Sequence, residues 1–233
     1  MFDPHDNLQI ETLYLRRGTT HVQAIEDDCR LFVIHGEGGG CVLEATGMAA
    51  AAWIPLCGEI QVHTQGVGIA VHSKWALVTG PETGVRVAAY AGSKWLALMG
   101  GEAACKLLMA GVPSPKTRLL PALHAVDRHL RRKIVALARS TGPGEFEGML
   151  EALASEIATL QAPLYQAVAR SPGRSFAAKL QVFLRLQRVR RFMNAYCEQE
   201  LDNAVLARVA NYSPCHFLRT FRAVYLETPH AYL

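Results

Sequence analysis

The chain has 233 residues, 50% of them hydrophobic, with 24 Lys and Arg against 20 Asp and Glu. That is enough apolar material for one or two soluble domains with a real core, and no apolar run is long enough to span a bilayer. The acidic, polar start Met1-Phe2-Asp3-Pro4-His5-Asp6 is no export signal, so a cytoplasmic protein with no membrane partner is expected.

Charge is unevenly placed along the chain. Residues 1–100 carry 6 Lys and Arg against 10 Asp and Glu, whereas residues 101–233 carry 18 against 10. An acidic front and a basic back suit a ligand-sensing module joined to a nucleic-acid module, although basic helices also occur in proteins that bind no polyanion. Six cysteines, Cys29, Cys41, Cys57, Cys105, Cys197 and Cys215, are scattered without paired spacing. Buried reduced thiols are expected, rather than a zinc or disulfide scaffold, with Cys215 the exception on an exposed face.

The first hundred residues hold short apolar or alternating runs punctuated by glycine. These are residues 8–15, 31–35, 41–45, 51–55, 60–64, 67–71, 75–79, 85–90 and 95–99. Their spacing predicts an all-β barrel or sandwich. The run Gly36-Glu37-Gly38-Gly39-Gly40 leads into the strand-like Cys41-Val42-Leu43 and not into a helix, so a hairpin turn is expected and not a phosphate loop. His21, His35, His63 and His72 show no His-x-His with a following Glu, so neither a metal nor a cofactor is expected. Trp53, Trp75 and Trp95 either wall an apolar effector cavity inside the barrel or simply fill it.

From Lys116 the period becomes helical. Leu123, Val126, Leu130, Ile134 and Leu137 recur at three- and four-residue steps, and so do Phe146, Met149 or Leu150, Leu153, Ile157, Leu160 and Leu164 beyond Ser140-Thr141-Gly142-Pro143-Gly144. An antiparallel helical hairpin follows, whose stripes face either a second copy in a homodimer or the protein's own core. Arg128, Arg131, Arg132 and Lys133 read as a solvated rim. Ala169-Arg170-Ser171-Pro172-Gly173-Arg174-Ser175 interrupts the period and sets a domain boundary. The next helix packs through Leu180, Phe183, Leu184, Val189, Phe192, Met193 and Tyr196, with Arg185, Arg188, Arg190 and Arg191 on its other face. No acidic residue stands between Ala162 and Cys197, which suits the DNA backbone and would equally suit RNA or an acidic protein.

The last thirty residues predict two short helices joined by a tight turn, the second one basic. The first starts at Asp202 or Asn203 as a cap, buries Leu206 and Val209, and ends at Asn211, the best non-glycine occupant of a left-handed turn position. The second opens with Ser213 as cap and Pro214 at its first position, and Phe217 and Phe221 anchor it. Cys215, Leu218, Arg219 and Arg222 fall on the remaining face, where Arg219 reaches a guanine edge and Arg222 a phosphate. By pattern alone, an ordinary helical hairpin with a solvated arginine face fits equally well.

Residues 188–233 resemble the first helix-turn-helix of the AraC/XylS family of transcription regulators. The matching positions are Leu206-Ala207, Asn211-Tyr212, Ser213-Pro214, His216-Phe217, Arg219, Phe221 and Pro229-His230-Ala231-Tyr232-Leu233. The resemblance implies that Cys215, Leu218 and Arg219 face the bases, that His216 is structural, and that Arg222 tracks the backbone with Ser213 at the helix entry. It also implies a cupin-like jelly roll as the N-terminal sensor, and helices that pack on it and form a homodimer. Asn211 and Leu226 stand where the family commonly has glycine, so the turn after the recognition helix is expected to be reshaped. Thr228 and Pro229 open a further helix, and the family continues through it into a second helix-turn-helix; the chain is therefore expected to be a fragment that binds DNA weakly.

Taken together, these readings predict an α+β protein. Residues 1–115 form a β-rich effector-sensing domain, 116–170 a helical hairpin for dimerisation, and 171–233 a linker and the first helix-turn-helix. The expected function is a ligand-responsive regulator whose partners are double-stranded DNA, an unknown small-molecule effector and a second copy. The alternative is a small-molecule-binding or enzymatic cupin-like protein whose helical C-terminus serves dimerisation only; a weaker one is a chain that sequesters full-length subunits. No nucleophile elbow, metal-ligand cluster or paired carboxylates appear at a meaningful spacing, so an enzyme is not expected.

Overall fold

The computed structural model describes residues 9–25, 29–81, 84–108, 118–139 and 143–233. The protein is α+β and divides into two units, Met1–Gln161 and Ala162–Leu233.

In the first unit, strands β1 (Gln9–Leu15), β2 (Thr20–Ala24), β3 (Arg30–Glu37), β4 (Val42–Thr46), β5 (Ala50–Cys57), β6 (Glu59–Thr64), β7 (Val67–His72), β8 (Trp75–Thr79), β9 (Val85–Ala89), β10 (Lys94–Gly100) and β11 (Ala122–Ala125) build two sheets. One has the order β1-β3-β10-β5-β8-β11, the other β2-β4-β9-β6-β7. The pairs β1–β3 and β2–β4 are parallel and the rest antiparallel. Both sheets supply the core. Leu43 and Ala45, Ile60 and Val62, and Val85 and Val87 point inward from the five-stranded sheet, while Glu44, His63 and Arg86 point to water, the two-residue period of a half-buried sheet.

The six-stranded sheet is different because its outer face is also covered. Leu31 to Ile34 on β3 and Trp95 to Gly100 on β10 are buried without alternation. The cover comes from α2 (Arg128–Leu137) and the first part of α3 (Pro143–Arg170). Leu130 and Ile134 on α2, and Leu153, Ile157 and Leu160 on α3, meet Ala52, Ile54, Ala76, Val78 and Leu98 of the sheet. Leu130, Ile134 and Leu153 of the hairpin stripes thus serve the protein's own core, while Ile157 and Leu160 stay half-buried. The expected rim is corrected too. Arg131 donates to the Ser73 and Leu56 carbonyl oxygens at 2.7 and 2.6 Å, and Lys133 pairs with Glu156 at 2.7 Å, which leaves Arg128 and Arg132 exposed.

All nine expected strands are present. Two more were missed: β2, an edge strand whose Val22 is exposed, and β11, whose Leu123 pairs with Leu77 although its spacing from Val126 and Leu130 had read as helical. Helix α1 (Glu102–Leu108) was also missed. The glycine-rich run does not make a hairpin: β3 and β4 belong to different sheets, and the turn passes the chain between them with Gly38 and Gly40 at positive φ. Residues 140–142 of the expected hairpin turn lie outside the described residues, as does the side chain of Phe146.

The second unit holds the end of α3, α4 (Phe176–Ala195), α5 (Asn203–Ala210), α6 (Pro214–Tyr225) and α7 (Pro229–Tyr232). Helix α3 ends at Arg170, and α4 starts behind Ser175, whose hydroxyl accepts from the Ala178 amide at 3.2 Å. Among the described residues, no helix is long and apolar enough to cross a membrane.

Candidate nucleic-acid interface

Helix α5 begins where Asp202 caps it, its Oδ1 accepting from the Ala204 amide at 3.2 Å. It stops at Asn211, which takes φ 56° and ψ 48°. There the Asn211 amide donates to the Arg208 carbonyl and the Tyr212 amide to the Ala207 carbonyl, both at 2.9 Å, the paired bonds of a left-handed helix stop. Leu206, Ala207 and Ala210 form its buried side, and Val209 is only half-buried.

Two residues later α6 starts with Pro214 at its first position, where a missing amide costs nothing. Ser213 occupies the cap position but makes no capping bond through its side chain. Phe217, Thr220, Phe221 and Val224 form the inward side, with the two phenylalanine rings edge to face at 5.6 Å. Leu226 ends the helix at φ 64° and its amide donates to the Arg222 carbonyl, so the expected reshaping does not occur: an exposed leucine takes the left-handed conformation a glycine would, at a cost of about 1–2 kcal/mol. The Arg170 guanidinium, from the end of α3, donates to the Val224 carbonyl at 2.8 Å and satisfies one of the orphan acceptors of α6.

What remains on the outer side of α6 is Ser213, Cys215, Leu218, Arg219 and Arg222, all exposed. Cys215, Leu218, Arg219 and Arg222 are spaced as neighbours on one helical face. Arg219 is steadied by a 3.5 Å contact of Nη2 with His216 Nδ1, and the His216 ring stands edge-on to Tyr212 at 4.5 Å. Over Tyr212 lies the guanidinium of Arg185 at 5.7 Å, so α4 adds an exposed cation beside the turn; Arg188 on the same helix is exposed as well.

The other two arginines of α4 are not surface charges, contrary to expectation. Arg191 is buried. Arg190 lies over the rings of Tyr225 and Tyr232 at 4.6 and 4.2 Å, and Tyr232 donates to Asn194 Oδ1 at 3.0 Å. Burial pushes the Tyr225 hydroxyl well above the ordinary tyrosine range.

The chain is similar in its path to ToxT of Vibrio cholerae. A lysine-to-alanine variant of ToxT in its apo form is 7% identical, with 90% of this chain and 98% of that one covered and a TM-score of 0.43. Wild-type ToxT with a bound unsaturated fatty acid is 8% identical over 87% of this chain and 93% of that one, with a TM-score of 0.38. The AraC-like transcriptional activator CuxR is 11% identical over 76% of this chain and 61% of that one, with a TM-score of 0.34. No family model matches the sequence. No curated protein matches it either.

The three tryptophans singled out as effector contacts are not brought together. Trp53 and Trp95 fill the space between the two sheets, Trp53 Nε1 donating to Thr79 Oγ1 at 3.0 Å, while Trp75 is 40% exposed. A partly open apolar cavity does exist, between the outer face of the six-stranded sheet and α2 and α3, with His124 and Gln161 in its wall. It measures about 30 Å³, room for one or two waters against the ~300 Å³ at which ligand sites begin. A larger space of about 530 Å³ is an open groove beside Glu59, His72 and Tyr90. None of the three tryptophans lines either space.

The histidines also lie apart: His21 meets Gln23, His35 stacks on Tyr14, and His72 pairs with Glu59 at 3.0 Å. Among the described residues no group of three His, Cys, Asp or Glu is placed to hold a metal ion. Cys215 is exposed as expected, but so are Cys57 and Cys197, which had been assigned to the interior.

Proposed function

We propose that this protein is a ligand-responsive transcription regulator of the AraC type, which binds double-stranded DNA by laying α6 in the major groove. The observation that carries the reading is the division of labour on α6. Its aromatic side is wholly consumed by the second unit, its opposite side presents Arg219 and Arg222 to solvent, and the exposed Arg185 of α4 lies over Tyr212 at the turn before it. In this reading Arg219 meets a base edge, Cys215 and Leu218 lie against the groove floor, and Ser213, Arg222, Arg185 and Arg188 hold phosphates. Ser213 suits that role because its hydroxyl makes no capping bond.

The effector belongs to the β-rich unit, and two copies act together to place two α6 helices on successive half-sites. Binding of purified protein to duplexes of many sequences tests the proposal. Arg219→Ala flattens the preference between sequences at a cost of about 1–3 kcal/mol on the best one, and Arg222→Ala weakens all duplexes alike. Equal loss for both variants on every duplex would defeat the assignment of roles. No binding at low salt would defeat the function.

A further inference from the structure

From Tyr212 to Leu226 the sequence contains no Asp, Glu, Asn or Gln. This limits what α6 can read. Adenine is recognised in the major groove by an amide side chain that both donates and accepts, and the cytosine amine needs an acceptor. The exposed face offers neither an amide nor a carboxylate, and the one hydroxyl on it, that of Ser213, is assigned above to a phosphate. Of its two guanidiniums Arg222 is given to a phosphate, which leaves Arg219, matched to guanine O6 and N7, beside the apolar Leu218, with Cys215 one turn towards the helix start.

Leu218 is itself unusual. It is 36% exposed, one of seven large hydrophobic side chains at the surface among the described residues, and Phe217 and Phe221 already occupy the inward side of α6. The contact of Arg219 with His216, a residue on the preceding turn, draws the guanidinium towards the amino end of the helix, where Cys215 also lies.

We infer that α6 recognises a guanine through Arg219 together with the 5-methyl group of an adjoining thymine, which rests against Leu218 and Cys215. The inference rests on the DNA-binding reading above and adds the chemistry of the bases to it. Seating the thymine methyl on Leu218 takes apolar surface of both partners out of water, which gives an exposed leucine a purpose that no internal packing provides.

The test uses the full 233-residue chain and base analogues that leave the protein untouched. Duplexes are first selected from a random-sequence pool at low salt, and the enriched site is remade with deoxyuridine for thymidine or 7-deazaguanine for guanine, one position at a time. Removing the contacted methyl weakens wild-type binding about fourfold, the value of one buried methylene-sized group. Removing N7 of the contacted guanine weakens it about tenfold, as the two-pronged contact falls to one. Leu218→Ala shrinks the deoxyuridine effect, Cys215 keeping part of the contact, and leaves the 7-deazaguanine effect; Arg219→Ala abolishes the 7-deazaguanine effect and leaves the deoxyuridine effect.

An enriched site without a thymine beside the guanine, or deoxyuridine substitution without effect at every position, overturns the inference and leaves DNA binding standing. Failure to enrich or retain any duplex overturns both.

Discussion

Gly36 stands on β3 directly across from Trp95 on β10, and a Cβ there would fall 2.0 Å from the indole ring. The missing side chain is what lets a tryptophan lie flat over the strand in the core. Gly36→Ala is therefore expected to destabilise the protein by about 1–3 kcal/mol through overpacking, read as a lower midpoint of urea unfolding. Gly148→Ala makes the control: it sits on α3 with nothing within 4 Å, and the same measurement should show a gain of up to about 1 kcal/mol. The sequence marks Gly36 only as part of a glycine-rich run. Its partner lies on a distant strand, and only the register of β3 with β10 brings the two together.

Helix α4 shows the same limit over a whole element. Four arginines on it had been grouped as one basic face, yet their environments separate them into two exposed cations and two that serve the interior. Arg190→Ala is expected to cost about 2 kcal/mol of folding stability, because it empties a site between two tyrosine rings. Arg185→Ala should leave unfolding within about 0.5 kcal/mol of wild type and weaken duplex binding. Urea melts and a DNA titration on both variants check the split. Capping is the counter-example: the roles of Asp202, Asn211, Pro214 and Thr228 were legible in the sequence, since each depends on the backbone within a few residues. Even there Ser213 departs, at the cap position without the capping bond.

Over the whole chain, charge follows the division into units. Residues 162–233 carry 10 Lys and Arg against 4 Asp and Glu, and residues 1–161 carry 14 against 16. Attraction to a polyanion therefore belongs to the second unit. If Arg185, Arg188 and Arg222 each neutralise a phosphate, the logarithm of the binding constant should fall with the logarithm of salt at a slope of about −3 for each bound copy, twice that for a pair, and Arg222→Ala should make it shallower by about 1 per copy. A titration series from low to physiological salt gives both numbers, and a slope near zero would remove the phosphate contacts from the reading.

The amino-acid sequence alone determined what depends on near neighbours: nine strands from alternation and glycine punctuation, the stop and restart around Asn211 and Pro214, and the outward placing of Cys215, Leu218, Arg219 and Arg222 opposite two phenylalanines. Only the tertiary structure decided what depends on distant ones. It set Leu130, Ile134 and Leu153 of the hairpin stripes against the protein's own sheet, put Trp53 and Trp95 in the core with Trp75 outside, and turned Leu123 from a helix position into a strand partner of Leu77. The reason is physical: a cap or a turn is settled by hydrogen bonds within a few residues, whereas burial is settled by whichever surface lies opposite, and periodicity gives a residue a face without naming what covers it.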